Sequence, residues 1–478
     1  MKIKYLLIVL FGNLCFAQNA PIHFDKLKQT YVLENNENLN SLLVLRSNTS
    51  SLTVKLDANQ NVLDSLPIQN PEKKFKILLA NAFDGNVGQL FWTTEKKNEM
   101  VVQAVDYTNR TSSFKALPIT LPRQLPLVEF SNGSNYFYAT YNYKTQTIQF
   151  YKFNNAGTFE VFDVDMSQEK FLTADFKQEN FTKAIGSMRR VDLEPNAIFQ
   201  FIDPSQTTAI SSAAYLEKAY VVNNKLVLTL DKNINTTHLL VFDLTNFTLE
   251  RKSINKPVMS YSYGMRSNSF LLDAHLYQIK VNEEAMILTV NDLDGNVISK
   301  LGTTKEDNIN FAIGNIKQLN GDFDGYREFE KTGQFIRKFQ NLKGGLTVYN
   351  YGDNKLVTIG AVSSERKSNL GLTLAFTGGL AGAVIGSMLD AWVFSPSLNN
   401  LDAYANRKVV YFNSAFNQQA KPVVTEINDL ALDKINDFIQ TNDKKSSNYN
   451  LSVKNNIYYL GYYVEKEKNY YWKPFTDF

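Results

Sequence analysis

Short strand-like segments that each end in Asp or Asn recur along this chain at a nearly constant interval. The residues at their ends are Asp57, Asp106, Asn154, Asp203, Asp243 and Asn291. These anchors lie 49, 48, 49, 40 and 48 residues apart, with several Val-, Ile- and Tyr-rich runs in each interval. A repeat of this length that contains about four strands is typical of propeller blades. The sequence therefore predicts an all-β fold, a β-propeller with seven or eight blades.

A ring of blades explains why such a sheet is repeated. A twisted four-stranded sheet has two apolar faces, and packing the sheets around an axis buries both. An Asp or Asn after a strand accepts hydrogen bonds from the following backbone and starts a turn. After Asn291 the interval drifts, and we expect the C-terminal sequence YYLGYYVEKEKNYYW to help form the closing blade. A pair of stacked β-sandwiches is the alternative fold, because it also uses short strands and turns.

The amino-terminal residues have the pattern of a secretory signal peptide. Met1–Lys4 contains two lysines, Tyr5–Phe11 is continuously apolar, and Cys15-Phe16-Ala17 precedes a cleavage point before Gln18. Residues 1–17 are thus expected to be removed, and the only cysteine with them. A lipid anchor is the weaker alternative, because Leu14 stands where a small residue is needed. We expect export to the periplasm or to the extracellular face of the envelope.

The remaining chain, residues 18–478, is expected to form one domain with a balanced charge. The full sequence has 50 Lys and Arg against 47 Asp and Glu, and removing Lys2 and Lys4 leaves 48 against 47. A near-neutral chain has no electrostatic footprint for nucleic acid. Nucleic acid is therefore not an expected partner.

One apolar, glycine-rich insertion, residues 368–400, breaks the repeat. Ser368 to Leu389 is a run of 22 residues without a charge. Within it Gly378, Gly382 and Gly386 are spaced by four residues, which places all three on one face of a helix. Such a face allows another backbone to approach closely. Each glycine costs a helix in water about 0.8 to 1 kcal/mol relative to alanine, so the segment needs a partner.

Three interpretations of this insertion remain open. It folds against the rim of its own propeller, as most apolar runs do; it spans a membrane; or it is an exposed loop that docks into another protein. Under the third interpretation, two aromatic residues at its exit supply anchors. The residues expected to contact a partner are Leu372, Leu374, Phe376, Gly378, Leu380, Gly382, Val384, Ile385, Gly386, Trp392 and Phe394.

A short amphipathic helix is predicted near the C-terminus, over residues 425–440. Thr425 is its expected N-cap, and acidic residues occur early in the segment. We expect the helix to pack on the propeller through its apolar face. The apolar residues at helical spacing are Ile427, Leu430, Ala431, Ile435, Phe438 and Ile439.

The sequence offers little catalytic chemistry. The three histidines, His23, His238 and His275, are far apart and lack ligand-type neighbours at zinc spacing. Asp273 and His275 would share one face of a strand. They would act there either as a general base with its orienting carboxylate or as a structural polar pair. The Asp-rich turns lack the ligand pattern of a calcium loop. We assign no catalytic residue, no metal ligand and no cofactor.

Two functions remain. The first is a non-enzymatic interaction propeller of the cell envelope. A rigid exported propeller with one uncharged insertion resembles the periplasmic plug subunits of type IX secretion translocons, which close the inner mouth of a large outer-membrane barrel. The resemblance implies a protein partner in the envelope, such as that barrel or translocon, and a place near the membrane. It also implies that Leu372 to Phe394 contact the pore.

The alternative function is a carbohydrate-binding or carbohydrate-active propeller that uses its central funnel. Tyrosines are plentiful, as in YSYG at 261–264. Tyrosine rings at the mouth of a propeller stack on sugars.

Overall fold

The chain folds into a β-propeller, as predicted. The computed structural model describes residues 20–34, 39–119, 124–186, 197–319, 326–364, 407–442 and 445–477. These residues form seven sheets of four or more strands, which follow one another along the chain. The total number of blades stays a prediction for the whole chain, and residues 1–17, the predicted signal peptide, lie outside the described ranges.

The chain begins with β1 (Ile22–His23) and then forms three sheets of four strands each. Sheet 1 contains β2 (Gln29–Glu34), β3 (Ser41–Arg46), β4 (Ser51–Leu56) and β5 (Val62–Ile68). Sheet 2 contains β6 (Ile77–Asp84), β7 (Val87–Thr93), β8 (Met100–Asp106) and β9 (Thr111–Leu117). Sheet 3 contains β10 (Leu125–Asn132), β11 (Asn135–Asn142), β12 (Thr147–Phe153) and β13 (Phe159–Asp165).

A two-stranded ribbon, β14 (Phe171–Leu172) and β15 (Gln178–Glu179), precedes the next two sheets. Sheet 4 contains β16 (Gln200–Ile202), β17 (Glu217–Val222), β18 (Lys225–Leu230), β19 (Thr236–Asp243) and β20 (Leu249–Asn255). Its first strand, β16, pairs in parallel with β17. Sheet 5 contains β21 (Arg266–Leu272), β22 (His275–Val281), β23 (Ala285–Asp292) and β24 (Val297–Thr304).

Two sheets take an outer strand from an earlier part of the chain. Sheet 6 contains β25 (Ile313–Leu319), β26 (Arg327–Phe329), β27 (Lys343–Tyr351), β28 (Asn354–Val362), β29 (Val409–Phe416) and β30 (Pro422–Val423). Sheet 7 contains β31 (Ser446–Lys454), β32 (Ile457–Val464) and β33 (Asn469–Phe475). In sheet 6 the outer position beside β29 is taken by β25, and in sheet 7 the position beside β33 is taken by β1.

Neighbouring sheets pack face to face through large apolar side chains. Between sheets 1 and 2, Tyr31 meets Trp92 edge-on, with ring centroids 6.0 Å apart. Sheets 7 and 1 share a core as well, and β1 pairs with β33 through Ile22 and Tyr470. The amino-terminal strand therefore joins the last sheet to the first and closes the ring.

Most of the predicted anchors start turns as expected. The Asp57 carboxylate accepts 2.8 Å hydrogen bonds from the amides of Asn59 and Asn61 after β4. The side chains of Asp106, Asn154 and Asp243 accept the same kind of bond at the ends of β8, β12 and β19.

Two anchors were wrong. Asn291 is buried inside β23, and the turn is started one residue later by Asp292, which accepts from Asp294 and Asn296. Asp203 does start a turn, but it follows β16, ahead of the inner strand of sheet 4, and so it is not in the same position as the others.

Four helices lie among the described residues. They are α1 (Phe181–Ile185), α2 (Ile210–Ala213), α3 (Thr332–Asn341) and α4 (Ala431–Asn442). The predicted helix over 425–440 is α4, but it begins only at Ala431, so Thr425 is not its N-cap. Ile427 and Leu430, which precede α4, instead pack on the tyrosines of sheet 6. No helix in the described ranges is long and apolar enough to cross a membrane.

Candidate functional site

A cavity of about 800 Å³ lies where the inner strands of sheets 4, 5 and 6 begin. These strands, β17, β21 and β27, start at Glu217, Arg266 and Lys343, and all three residues line the cavity. We call this side of the ring the cavity face. The remaining lining residues include Ser211, Ala214, Tyr215, Asp231, Lys232, Met265, Ser267, Asn341, Gly344, Val362, Ser363, Ser364 and Arg407.

A fully buried cluster of charges lies at one wall of this cavity. The Asp231 carboxylate is 3.3 Å from the Lys218 ammonium and 3.2 Å from the Lys256 ammonium, and none of the three side chains is exposed. Asp231 also accepts hydrogen bonds from Ser269 and Thr237 at 2.6 and 2.7 Å. The cluster is therefore hydrogen-bonded on every side, as buried charges require.

Burial and pairing act in opposite directions on these groups. Burial disfavours ionisation of Asp231, but the Lys256 and Lys218 ammonium groups outweigh it and hold the pKa of the carboxyl well below its usual value. Burial lowers the pKa of both lysines, and the Asp231 charge partly offsets this. Two lysines on one carboxylate leave a formal surplus of one positive charge beneath the cavity.

A second ion pair forms another part of the wall. Lys232 places its ammonium 2.7 Å from Oε1 of Glu217, whose side chain is almost completely buried. The same ammonium donates to the carbonyl oxygens of Ala184 and Ile185 at 3.2 and 2.5 Å. Lys232 therefore ties helix α1 to the inner strand of sheet 4.

Helix α2 and the residues before it connect the cavity wall to sheets 6 and 7. A Cβ atom on Gly345 of β27 would lie only 2.9 Å from the backbone of Ala214, so glycine is required for this close packing. The amide of Thr207 donates a 3.0 Å hydrogen bond to the hydroxyl of Tyr458 in sheet 7. The segment that leads into sheet 4 thus reaches across to two other blades.

The glycine-rich insertion leaves sheet 6 at the edge of the cavity. Val362 at the end of β28 pairs with Val409 at the start of β29. Beyond this pair, the amide of Ser363 donates to the Lys408 carbonyl at 2.9 Å, and the amide of Lys408 donates to the Ser363 hydroxyl at 3.0 Å. The chain therefore leaves and returns at one point of the cavity face. The predicted partner contacts from Leu372 to Phe394 lie outside the residues that the structure describes.

An aromatic loop adjoins the cavity. It joins β20 to β21, and its Val258, Tyr261 and Tyr263 are 87%, 79% and 95% exposed. Met265 and Arg266, which follow directly, line the cavity. Two of the tyrosines that the sequence analysis noted thus project from the cavity face.

The histidines have structural surroundings. His238 lies within β19, where its Nε2 accepts from the Leu172 amide at 3.0 Å and its Nδ1 is 2.9 Å from the Ser253 hydroxyl. Burial lowers the pKa of His238. The prediction that Asp273 and His275 share one strand face was wrong, because Asp273 lies in the turn between β21 and β22. In the described ranges, no three His, Cys, Asp or Glu side chains are grouped to hold a metal ion.

Sequence reasoning missed the cavity because its lining comes from three sheets. The available signal was a pair of lysines in apolar surroundings. Lys218 lies in EKAYVV and Lys256 directly follows a strand, whereas a lysine of a blade is usually solvated.

Comparison with known proteins gives a likeness in structure only. No family model and no curated protein matches the sequence. Among solved structures, one from an analysis of two prolyl endopeptidases matches at 10% identity over 96% of this chain and 49% of that chain, with a TM-score of 0.33. Cobalt-substituted Synechocystis ACO matches at 8% identity, covering 57% and 61%, with a TM-score of 0.28.

A third structure, a mutant of AofleA from Arthrobotrys oligospora, matches at 9% identity over 72% and 83% of the two chains, with a TM-score of 0.25. The chain spans less than two thirds of the length of the first two proteins. All three TM-scores are below 0.5, so we base no functional inference on them.

Proposed function

We propose that this chain is a non-enzymatic subunit of an outer-membrane complex in the cell envelope. It binds a protein partner through the insertion at 368–400 and plugs the periplasmic side of a secretion translocon. The observation that carries the proposal is the pair of hydrogen bonds between Ser363 and Lys408. These bonds hold the chain just before and just after the segment that contains the insertion at one point of the propeller.

A fixed attachment point suits a docking element. The two strands at its base, β28 and β29, are paired along their whole length in the middle of sheet 6. Because both belong to one sheet of the ring, the points at which the chain enters and leaves this segment are set by the fold. The insertion itself contains 22 successive residues without a charge, and apolar surface of that extent on a propeller is stabilised by a partner. A subunit that closes a channel needs shape and apolar contact, which this arrangement supplies.

The test removes the insertion and leaves its base intact. Residues 366–405 are replaced by a short Gly-Ser linker in the tagged protein, which is expressed in its native host. We expect co-purification with envelope membranes to be lost, while the thermal midpoint of the purified protein stays unchanged. The matched control replaces another exposed turn, Asp175-Phe176 of the β14–β15 ribbon, and should keep co-purification.

A variant of unchanged length separates the effect of losing apolar contacts from the effect of shortening the loop. Leu380→Asp together with Ile385→Asp places two charges in the uncharged run, and burial of a charge in an apolar contact is costly. Co-purification should fall as it does in the deletion. Membrane association that survives in both variants would contradict the proposal.

A second function, carbohydrate binding at the cavity face, is favoured by the exposed rings of Tyr261 and Tyr263 beside the cavity. An oligosaccharide array tests it through saturable binding that Tyr261→Ala and Tyr263→Ala remove. Tyr143→Ala, at an exposed tyrosine of sheet 3, is the control and should leave binding unchanged. Absence of saturable binding to any oligosaccharide would exclude this function.

A further inference from the structure

Positive charge is concentrated around the cavity. Among the residues that the structure describes, the lining contains four cationic side chains and two carboxylates, a formal surplus of two. Lys218 and Lys256, the buried lysines paired with Asp231, raise this surplus of positive charge to four. The whole chain has a formal net charge of +3. The rest of the protein is thus close to neutral, and the cationic lining residues are Lys232, Arg266, Lys343 and Arg407.

The two described carboxylates of the lining are already engaged by lysines. Glu217 pairs with Lys232, and Asp231 pairs with two buried lysines. Arg266 has no carboxylate among its contacts in the described residues, where it donates only to the neighbouring Met265 carbonyl. The internal ion pairs therefore leave a positive field in the cavity, and low-dielectric walls strengthen such a field.

The contributing side chains come from different strands. Arg266 comes from the start of β21 and Lys343 from the start of β27, while Arg407 precedes β29 at the base of the insertion. Hydroxyl groups also line the cavity and can donate further hydrogen bonds to an anion. These hydroxyls belong to Ser211, Ser267, Ser363 and Ser364.

We propose that the cavity binds a small anionic ligand through a carboxylate or phosphate group. Arginine guanidinium groups bind both kinds of oxyanion through paired hydrogen bonds. A volume of about 800 Å³ is in the range of pockets for small organic ligands. Arg266 and Arg407 hold the charged end of the ligand. The site is independent of the insertion-mediated docking proposed above.

The test measures binding to the full mature chain by calorimetry at low ionic strength. The probes are inorganic phosphate and D-glucuronate, with D-glucose as the uncharged match to glucuronate. We expect saturable binding of at least one anion, no binding of glucose, and weaker binding when salt screens the charges. Phosphate alone would identify a phosphate group as the ligand chemistry, and glucuronate alone would identify a carboxylate.

Variants then locate the site. Arg266→Gln and Arg407→Gln should each weaken binding about tenfold or more, because each removes charged hydrogen bonds. Arg337→Gln, at an exposed residue of α3 outside the cavity, is the control and should bind as the parent does. The thermal midpoints of the free variants verify that each one is folded.

Three results would overturn the proposal: no saturable binding of either anion, equal binding of glucose and glucuronate, or unchanged anion binding by both cavity variants. Membrane co-purification is measured on the same variants. Arg266→Gln should leave it unchanged, so that failure of the anion site and failure of the docking role are distinguishable.

Discussion

The Asp477 carboxylate accepts a 2.7 Å hydrogen bond from the amide of Ala431, the first residue of α4. Its other oxygen accepts from the hydroxyl of Tyr349 in sheet 6. All of these groups are buried. One carboxylate after the last strand thus joins a helix start to a neighbouring blade, and acidic groups are favourable at that end of a helix.

Replacing this carboxylate should destabilise the propeller. Asp477→Ala leaves the Ala431 amide and the Tyr349 hydroxyl without their acceptor, and we expect the free energy of unfolding to fall by about 1 to 3 kcal/mol. Urea denaturation measures the change. Asp429→Ala, at an exposed residue of the preceding loop, should change it by less than about 0.5 kcal/mol. Equal effects of the two substitutions would show that the hydrogen bonds contribute nothing.

The buried charge cluster predicts an asymmetry between its members. Asp231→Asn leaves two buried lysines without a counter-charge and should cost about 3 to 5 kcal/mol of the free energy of unfolding. Lys218→Met keeps one carboxylate paired with Lys256, so it should cost less. Asp64→Asn breaks the exposed pair with Arg110 and should cost at most about 1 kcal/mol. A larger loss for Lys218→Met than for Asp231→Asn would refute the expected order.

His238 should make stability depend on pH. Its folded pKa lies below the value of about 6.5 of an unfolded chain, because burial disfavours the imidazolium. The folded state therefore binds fewer protons, so this contribution to stability is complete above about pH 6.5 and is lost as the pH falls through the folded pKa. Protonated Nε2 also no longer accepts from the Leu172 amide. Urea denaturation between about pH 7.5 and pH 5 measures how the free energy of unfolding changes with pH. This change should be smaller for His238→Gln than for the parent.

The control for this measurement is His23→Gln, at an exposed histidine of β1. It should keep the slope of the parent. A His238→Gln protein with the same slope as the parent would mean that another group causes the acid dependence.

The packing of α2 on sheet 6 predicts a cost for a single methyl group. Gly345→Ala places a Cβ atom 2.9 Å from backbone atoms of Ala214. Backbone atoms cannot rotate away as the end of a flexible side chain can. We expect a loss of about 1 to 3 kcal/mol in the free energy of unfolding. Lys343→Ala, two residues earlier on the exposed end of the same strand, should have little effect. An unchanged thermal midpoint for Gly345→Ala would disprove the tight contact.

The sequence predicted features that depend on neighbouring residues, and it failed where distant segments meet. The Asp57 turn was predictable because its carboxylate bonds amides two and four residues later. The outer strand of sheet 6 was not, because β25 pairs with β29 across about 90 residues that include the insertion. That displacement also accounts for the drift of the repeat after Asn291.

The cavity shows the same limit. Lysine is usually a surface residue, so the burial of Lys218 and Lys256 depends on a carboxylate that only the folded chain brings to them. The start of α4 was misplaced because the periodicity of Ile427 and Leu430 reflects packing on sheet 6 rather than helix formation.

The pairing of β1 with β33 also determines when the ring of sheets can close during folding. Ile22 and Tyr470 lie near opposite ends of the described residues, so the two can meet only after the polypeptide between them has been made. Contacts between such distant residues form slowly. Until then sheet 1 exposes the apolar side that later faces Tyr470, and the incomplete chain is prone to aggregation and proteolysis.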